Sequence, residues 1–169
     1  MNELFKKRRS IRQYTSEPVN DRQIRSILAA AMVAPSANSL HPVEFVVVKS
    51  RVKLSKLSQC GPWQKFIGGA PIAIVILADP GQSKYWLVDA SIAGAHIYLE
   101  TANQGLATCW ANVYQGKTQT GADREEFVRR ILAIPPSKRI LGIFPIGYPA
   151  QDPPQHTEAE YDQDKVCWV

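Results

Sequence analysis

The run Pro71-Ile72-Ala73-Ile74-Val75-Ile76-Leu77-Ala78 decides the fold. It contains no polar side chain and is rich in β-branched residues, which favour strands. A strand without polar positions is typical of the centre of a sheet that is covered on both faces. The turn residues Asp79-Pro80-Gly81 end the run. The stretch therefore predicts a buried central strand with other elements on either side of it.

Apolar spacing predicts helices and strands on both sides of this strand. Further strands are expected at residues 43–48, 107–113 and 139–146. Helices are expected at residues 2–8, 51–59, 86–104 and 123–133. A further helix is expected to begin after Asn20, which forms a capping box with Gln23, and to end before Pro35. Residues 151–164 are expected to form a polar surface arm, and residues 161–169 a terminal strand. The pattern predicts a layered α+β or α/β fold, with a single domain over residues 1–169.

The helix at 86–104 carries the clearest apolar spacing. Its predicted buried stripe steps by four and three residues through Val88, Ile92, Ala95, Leu99, Ala102 and Leu106. Small residues at 90 and 93–95 keep the helix thin, which allows close contact with another helix. Such a helix is either the central helix of the domain or part of a subunit interface.

The net charge of +5 arises largely from one stretch near the start, Lys6-Lys7-Arg8-Arg9-Ser10-Ile11-Arg12-Gln13-Tyr14. Arginine binds phosphate oxygens in pairs, and a serine hydroxyl adds a further donor. The stretch therefore indicates a phosphate site, although a solvated basic end, a targeting segment or a nucleic-acid patch has the same composition. The apolar residues Ile11 and Tyr14 favour a segment that folds onto a core.

The loop Ala34-Pro35-Ser36-Ala37-Asn38-Ser39-Leu40-His41-Pro42 joins a predicted helix to a predicted strand. It is either an ordinary connection or a ligand loop, because its small polar residues offer donors and acceptors on a backbone stiffened by two prolines.

Several classes of function are disfavoured. There is no Gly-x-Gly-x-x-Gly after a first strand and no Walker loop, which argues against a Rossmann nicotinamide site or a P-loop enzyme. The odd cysteine count and the isolated histidines predict neither a disulfide framework nor a metal site, and they fit a reducing cytoplasm. No apolar run approaches the roughly 20 residues that cross a bilayer, and the charged start does not resemble a secretory signal.

Taken together, these segments resemble the nitroreductase family of flavoproteins. The basic motif Arg8 to Tyr14 is similar to the family's N-terminal signature, and the loop from Ala34 to Ser39 is similar to its second flavin loop. The remaining similar segments, in the family's order, are Ala70–Val75, Asp89–Ala93, Gly105–Trp110 and Ile146–Pro149. The matches run from about residue 4 to residue 150.

The resemblance implies an α+β, nitroreductase-like fold, with a central, mostly antiparallel sheet of four to five strands flanked by helices in three α/β/α layers. It also implies an intertwined homodimer with two FMN sites at the subunit interface. The cofactor-binding residues expected from the resemblance are Arg8, Arg9, Ser10, Arg12, Pro35, Ser36, Ala37, Asn38, Gln64, Trp110, Ala111, Gly147 and Tyr148.

The resemblance also implies roles within that set. Arg8 and Ser10 are expected at the phosphate and ribityl chain, Arg12 at the pyrimidine edge of the ring, and Pro35 to Asn38 at the flavin of the other chain. Two departures from the family stand out. Residues 153–157 lack the usual basic pair, so phosphate binding would rest on Arg8, Arg9 and Ser10. The chain also lacks a large middle insertion, so the substrate pocket is expected to be open.

The activity implied is that of an FMN-dependent oxidoreductase, in which NAD(P)H reduces flavin N5 and a nitroaromatic, quinone or similar small acceptor is then reduced by a ping-pong scheme. No catalytic side chain or metal is expected, because the flavin supplies the chemistry, and Arg12 acts as an electrostatic tuner. The choice between NADH and NADPH and the acceptor remain open. One alternative is a flavin carrier or sensor without nicotinamide-dependent turnover. The other is a nucleic-acid-binding module that uses residues 6–12, but the chain has no second basic face to support it. No membrane partner is expected.

Lone aromatic and titratable residues are interpreted as structural. Trp63 and Trp110 are expected to pack in the protein, and His41 and His96 to be hydrogen-bonded groups that do not act as acids. Cys109 is expected to be a small buried residue.

Overall fold

The computed structural model describes residues 1–169, which form a five-stranded sheet with helices on both faces. The strands are β1 (Val43–Val48), β2 (Ile72–Ala78), β3 (Ala107–Thr108), β4 (Ala111–Asn112) and β5 (Arg139–Gly147). Their order is β1-β2-β5-β3, with β4 also paired to β5, and every pair is antiparallel. The expected antiparallel α+β sheet is therefore confirmed.

The chain has five α-helices, and their bounds lie close to those predicted. They are α1 (Glu3–Lys7), α2 (Asp21–Met32), α3 (Arg51–Leu57), α4 (Trp86–Asn103) and α5 (Arg124–Leu132). The predicted capping box begins α2: the Asn20 side chain accepts from the backbone N–H of Gln23, and the Gln23 side chain accepts from the N–H of Asn20. These two bonds satisfy donors that a helix start would otherwise leave free.

Strand β2 divides the core into two layers. All seven of its residues are buried. Ile72, Ile74 and Ile76 face a cluster that includes α2 and α4, whereas Ala73, Val75 and Leu77 face a cluster that includes α3 and α5. This follows from the two-residue period of a strand, which sends successive side chains to opposite faces. The apolar run at the centre of the sequence is thus the middle layer of an α/β/α arrangement.

Helix α4 does not bury the stripe that its spacing predicted. Its buried residues are Trp86, Asp89, Ala90, Ala93, Gly94, Ile97 and Thr101. Val88 is 56% exposed, Ala95 is exposed, and Ile92 and Leu99 are only half-buried. Because both sides of this helix are apolar, periodicity alone does not identify the side that faces the sheet. The part of the predicted stripe that lies within α4 is therefore on its outward face, whereas Leu106, beyond the end of the helix, is buried.

Small residues on α4 allow close contact with the protein's own sheet. A Cβ at Gly94 would lie 2.9 Å from the Phe144 ring and 3.0 Å from the Trp110 ring. The thinness predicted for this helix therefore brings it onto β5 and the segment between β3 and β4.

Two other expectations are corrected. The predicted strand at 107–113 is interrupted at Cys109 and Trp110, so that it forms the two short strands β3 and β4. Residues 161–169 form no strand; the chain from residue 151 onward is an irregular, largely exposed arm with two 3-10 turns. None of the helices is long and apolar enough to span a membrane.

Candidate functional site

The basic N-terminal segment lies along the edge of the sheet, as its apolar residues predicted. Ser10 forms a parallel bridge with Thr108, and the backbone N–H of Ile11 donates to the Thr108 carbonyl at 3.1 Å. Ile11 is buried, and the Tyr14 hydroxyl donates to the Ile11 carbonyl at 2.7 Å. The N–H of Thr15 donates to the carbonyl of Tyr148 at 2.9 Å. The segment therefore runs from β3 to the end of β5.

The cations of this segment are spread over two ends. At one end, Arg8 lies 2.9 Å from a ring nitrogen of His156, and the Arg9 guanidinium donates to the carbonyl of Pro154. At the other end, the Arg12 guanidinium lies 5.9 Å from the centre of the Phe66 ring. Arg8 and Arg9 are therefore held by hydrogen bonds to the surface arm, whereas Arg12 lies near an aromatic ring.

A cavity of about 220 Å³ adjoins the first of these ends. Lys7, Arg8 and Arg9 line it together with Thr108. The Thr108 hydroxyl is buried and has no hydrogen-bond partner within the chain. Asp152 lines the cavity as well, so three cations face one carboxylate and the lining has a net positive charge that suits an anion.

Tyr98, which the sequence analysis did not identify, connects this segment to α4. Its hydroxyl lies 3.2 Å from the hydroxyl of Ser10 and accepts from the backbone N–H of Trp110 at 2.7 Å. Its ring lies 5.4 Å below the Arg8 guanidinium. Burial raises the pKa of Tyr98, so the phenol stays protonated at neutral pH.

The surface arm also contributes to the site. The side-chain oxygen of Gln151 accepts from the backbone N–H groups of Arg12 and Gln13, at 3.0 and 3.2 Å. These two bonds hold the backbone that carries Arg12. Neither Gln151 nor His156 lies in a motif that signals such a role, and only the folded arrangement brings them to the basic segment.

The loop at Pro35 to Asn38 lies elsewhere in the chain. Its Ala37 N–H donates to the buried carboxylate of Asp89 at 2.9 Å, and Ser36 accepts from the N–H of His41. Asn38 and His41 have left-handed φ angles of 51° and 46°. Asn38 and Pro35 are exposed, so the loop presents polar groups outward on a fixed backbone.

Within one chain, helix α4 separates this loop from the basic segment. The loop is bonded to Asp89 and the basic segment to Tyr98, nine residues further along α4. At 1.5 Å and 100° per residue, these two anchor points are about 14 Å apart and on opposite sides of the helix. The two predicted groups of cofactor residues therefore do not meet in a single chain.

The segment at residues 63–66 is arranged differently from the expectation. Gln64 is buried, and its side-chain oxygen accepts from the backbone N–H of Trp63 at 3.1 Å. That oxygen and the Arg124 guanidinium both lie against Gly61. Gln64 thus occupies its own turn, and Phe66 is the residue of this segment that contacts Arg12. Trp63 is 82% exposed, so the interpretation that it packs in the protein is wrong for this chain.

The remaining predicted site residues, Trp110, Ala111, Gly147 and Tyr148, lie in or next to strands β4 and β5. The Trp110 ring packs on Phe144, with ring centres 5.1 Å apart, as expected of a structural residue. Ala111 is buried in β4. Gly147 has no room for a side chain, because a Cβ would lie 2.7 Å from Pro71 and 3.2 Å from Tyr14. This close approach allows the basic segment to reach Tyr148.

Comparison with known proteins identifies relatives over most of the chain. The model of the nitroreductase family matches residues 5–61 and 56–148. A protein of Methanothermobacter thermautotrophicus, provisionally named NADH dehydrogenase/NAD(P)H nitroreductase, is 36% identical over 97% of this chain and 84% of its own length. A Thermus thermophilus protein named NADH dehydrogenase is 27% identical over 86% of this chain and 85% of its own length.

A solved structure gives the same result for the fold. The FMN-dependent nitroreductase from Clostridium difficile R20291 superimposes with a TM-score of 0.94 at 35% sequence identity, covering 98% of this chain and 96% of that chain. Sequence and structure therefore agree from the basic segment to the end of the sheet, and the chain belongs to the nitroreductase family.

Proposed function

We propose that this protein is an FMN-dependent NAD(P)H oxidoreductase. The observation that carries the proposal is the cavity at the sheet edge that Lys7, Arg8 and Arg9 line, with Arg12 further along the same segment. Membership of the nitroreductase family supports it, as do a relative named for NAD(P)H nitroreductase activity and a structural neighbour named as FMN-dependent.

The donor chemistry of the basic segment fits FMN. Arg8, Arg9 and Ser10 would hold the phosphate and the ribityl chain, because guanidinium groups and a hydroxyl donate to phosphate oxygens. Arg12 would lie at the ring. When bound, FMN supplies two-electron chemistry by accepting and passing on hydride. The chain itself binds and orients the cofactor, and the Arg12 cation would favour added negative charge at the ring edge.

Other residues of the chain set the position of this edge. Gln151 holds the backbone of Arg12, and Tyr98 holds both Ser10 and the backbone of Trp110. These contacts would keep the donors at fixed places before the cofactor binds, which reduces the ordering cost of binding. Backbone around Trp110 and Ala111 and the turn at Gly147 and Tyr148 would border the ring.

We further propose that two copies form each site. The separation of the Asp89-bound loop from the Tyr98-bound segment supports this, because a second chain would bring its own Pro35 to Asn38 to the arginines. The outward face of α4 supports it as well, since Val88, Ile92, Ala95 and Leu99 leave an apolar stripe on the surface of one chain. Stable homodimer interfaces cover such faces.

The proposed acceptors are small planar oxidants such as nitroaromatics and quinones. NAD(P)H would bind first and be oxidised, and the acceptor would then bind at the same site and be reduced, which is a ping-pong sequence. The short, irregular link between α3 and β2, with Trp63 exposed on it, supports an open pocket without a lid. A pocket of this kind would discriminate weakly among acceptors.

An absorbance experiment tests the proposal and separates it from a carrier or sensor. Purified protein is loaded with FMN, and its spectrum is recorded anaerobically before and after NADH or NADPH is added, and again after a quinone is added. Bleaching by a reduced nicotinamide and recovery with the quinone are expected. FMN bound without bleaching by either nicotinamide would indicate a carrier or sensor. A melting temperature unchanged by saturating FMN would refute the cofactor assignment.

A further inference from the structure

His156 is held between a cation and an anion at the phosphate end of the site. Its Nε2 atom lies 2.9 Å from the Arg8 guanidinium, and its Nδ1 atom lies 2.7 and 2.9 Å from the two carboxylate oxygens of Glu160. The backbone N–H of His156 donates to the Lys6 carbonyl at 3.0 Å. His156 is therefore held by Arg8, Glu160 and the backbone of Lys6, although it belongs to the surface arm.

These contacts define the protonation state that suits the arrangement. A carboxylate only accepts, so Nδ1 carries the hydrogen that is donated to Glu160. A guanidinium only donates, so Nε2 presents its lone pair to Arg8. The observed arrangement is that of a neutral imidazole. A charged one would bring two donors face to face at 2.9 Å, which is favourable only with an acceptor between them.

The surroundings hold both signs of charge. Arg8 and Arg9 approach His156 from the basic segment, and Glu160 approaches it from the arm. The hydrogen bond from His156 lowers the pKa of the Glu160 carboxyl, so that Glu160 is charged at neutral pH. Further out, Glu158 pairs with the N-terminal amino group and lies near Lys6. The arm thus carries a fixed negative charge behind the imidazole.

We infer that His156 is a third cationic ligand of the FMN phosphate, and that it takes up a proton from solvent when the phosphate binds between it and Arg8. The inference rests on the proposed function and extends it. A phosphate oxygen would accept from both Arg8 and the protonated Nε2, while Glu160 would keep its bond to Nδ1 and stabilise the added charge. The segment 153–157, which has no lysine or arginine, would then still contribute a cation.

Calorimetry can count this proton. FMN is titrated into the apo dimer at pH 7.5 in buffers that differ in ionisation enthalpy, and the same is done with His156→Asn. Because Nε2 faces the Arg8 guanidinium without a proton in the free protein, the wild type should take up more protons than the variant, by at most one per site. The ionisation of FMN itself is common to both proteins and cancels. Riboflavin, which lacks the phosphate, should show no difference between them.

A second pair of variants protects the test against a misfolded arm. Glu160→Gln should lower the proton uptake and reduce the preference for FMN over riboflavin, by about tenfold for the loss of one charge-assisted contact. Glu158→Gln is the matched control on the same arm and should leave both unchanged.

Equal proton uptake by the wild type and His156→Asn, with FMN still bound by both, would overturn the inference and leave the proposed function intact. Failure of the wild type to bind FMN at all would overturn both.

Discussion

The hydroxyl of Tyr98 accepts a 2.7 Å hydrogen bond from the backbone N–H of Trp110. This contact joins α4 to residues 109 and 110, where the strand predicted at 107–113 is interrupted. The interruption frees backbone donors from the sheet, and a buried N–H needs a partner. Tyr98 supplies it, and the same hydroxyl lies 3.2 Å from Ser10. One phenol thus holds two segments of the candidate site.

The first prediction follows from this contact. Tyr98→Phe keeps the ring and removes the acceptor, so the Trp110 N–H loses its partner. The free energy of unfolding should fall by about 1–3 kcal/mol, the typical cost of an unsatisfied buried polar group. Urea denaturation followed by circular dichroism measures the change. Tyr161→Phe is the control, because Tyr161 is 63% exposed, and should have no effect. A Tyr98→Phe protein as stable as the wild type would mean that this contact does not hold the segment.

The second prediction concerns the close approach of α4 to the sheet. Gly94→Ala places a methyl group 2.9 Å from Phe144 and 3.0 Å from Trp110, both of them large rings in contact with each other. Such overpacking should lower the free energy of unfolding by about 1–3 kcal/mol, more than offsetting the gain in helix propensity. Gly69→Ala, where a Cβ meets no atom within 4 Å, is the control and should be nearly neutral. Thermal unfolding of both variants checks this.

Much of the fold was predictable because local physics determined it. The run at 71–78 has no polar residue and is therefore buried on both faces wherever it lies. Asn20 and Gln23 cap α2 through contacts within four residues. Ile11 indicated that the basic segment folds onto the core, and it is buried there. His96 is hydrogen-bonded to the Ala30 carbonyl, as expected of a structural histidine.

The failures arise where distant parts of the chain decide the structure. Helix α4 is apolar on both sides, so its period did not reveal which side faces the sheet. Gln64 is polar and near the site in sequence, yet its side-chain oxygen accepts from the backbone N–H of Trp63 within its own turn. Tyr98 and His156 reach the basic segment from 88 and 148 residues away, and no local pattern carries that information.

The third prediction tests the outward face of α4. A charge placed there should leave one chain folded, because Ala95 is already exposed to solvent. In the proposed dimer the same charge would be buried without a partner, which is strongly unfavourable. The wild type should therefore have about twice the 18.8 kDa chain mass by light scattering, and Ala95→Glu should be monomeric.

Loss of FMN should accompany the monomer, because each site would use both copies. Val52→Glu, at a position on α3 that is 65% exposed, is the matched control and should remain dimeric with flavin bound. A monomeric Ala95→Glu that retains FMN with wild-type affinity would contradict a shared site.

The last prediction separates the two ends of the basic segment. Arg8, beside His156, is assigned to the phosphate, and Arg12, beside Phe66, to the ring. The phosphate charge is the same in oxidised and reduced flavin, so Arg8→Ala should raise the FMN dissociation constant with almost no change in midpoint potential. Reduction adds negative charge at the ring, so Arg12→Ala should weaken the binding of reduced flavin more than that of oxidised flavin and thereby lower the midpoint potential.

The size of this shift follows from the strength of charge pairs. An exposed charge pair contributes under about 1 kcal/mol and a desolvated one several, while about 30 mV corresponds to 1.4 kcal/mol for two electrons. The shift for Arg12→Ala should therefore be some tens of millivolts. A reductive titration of each FMN-loaded variant against a reference dye measures it, and equal shifts in both variants would show that Arg12 does not lie at the ring.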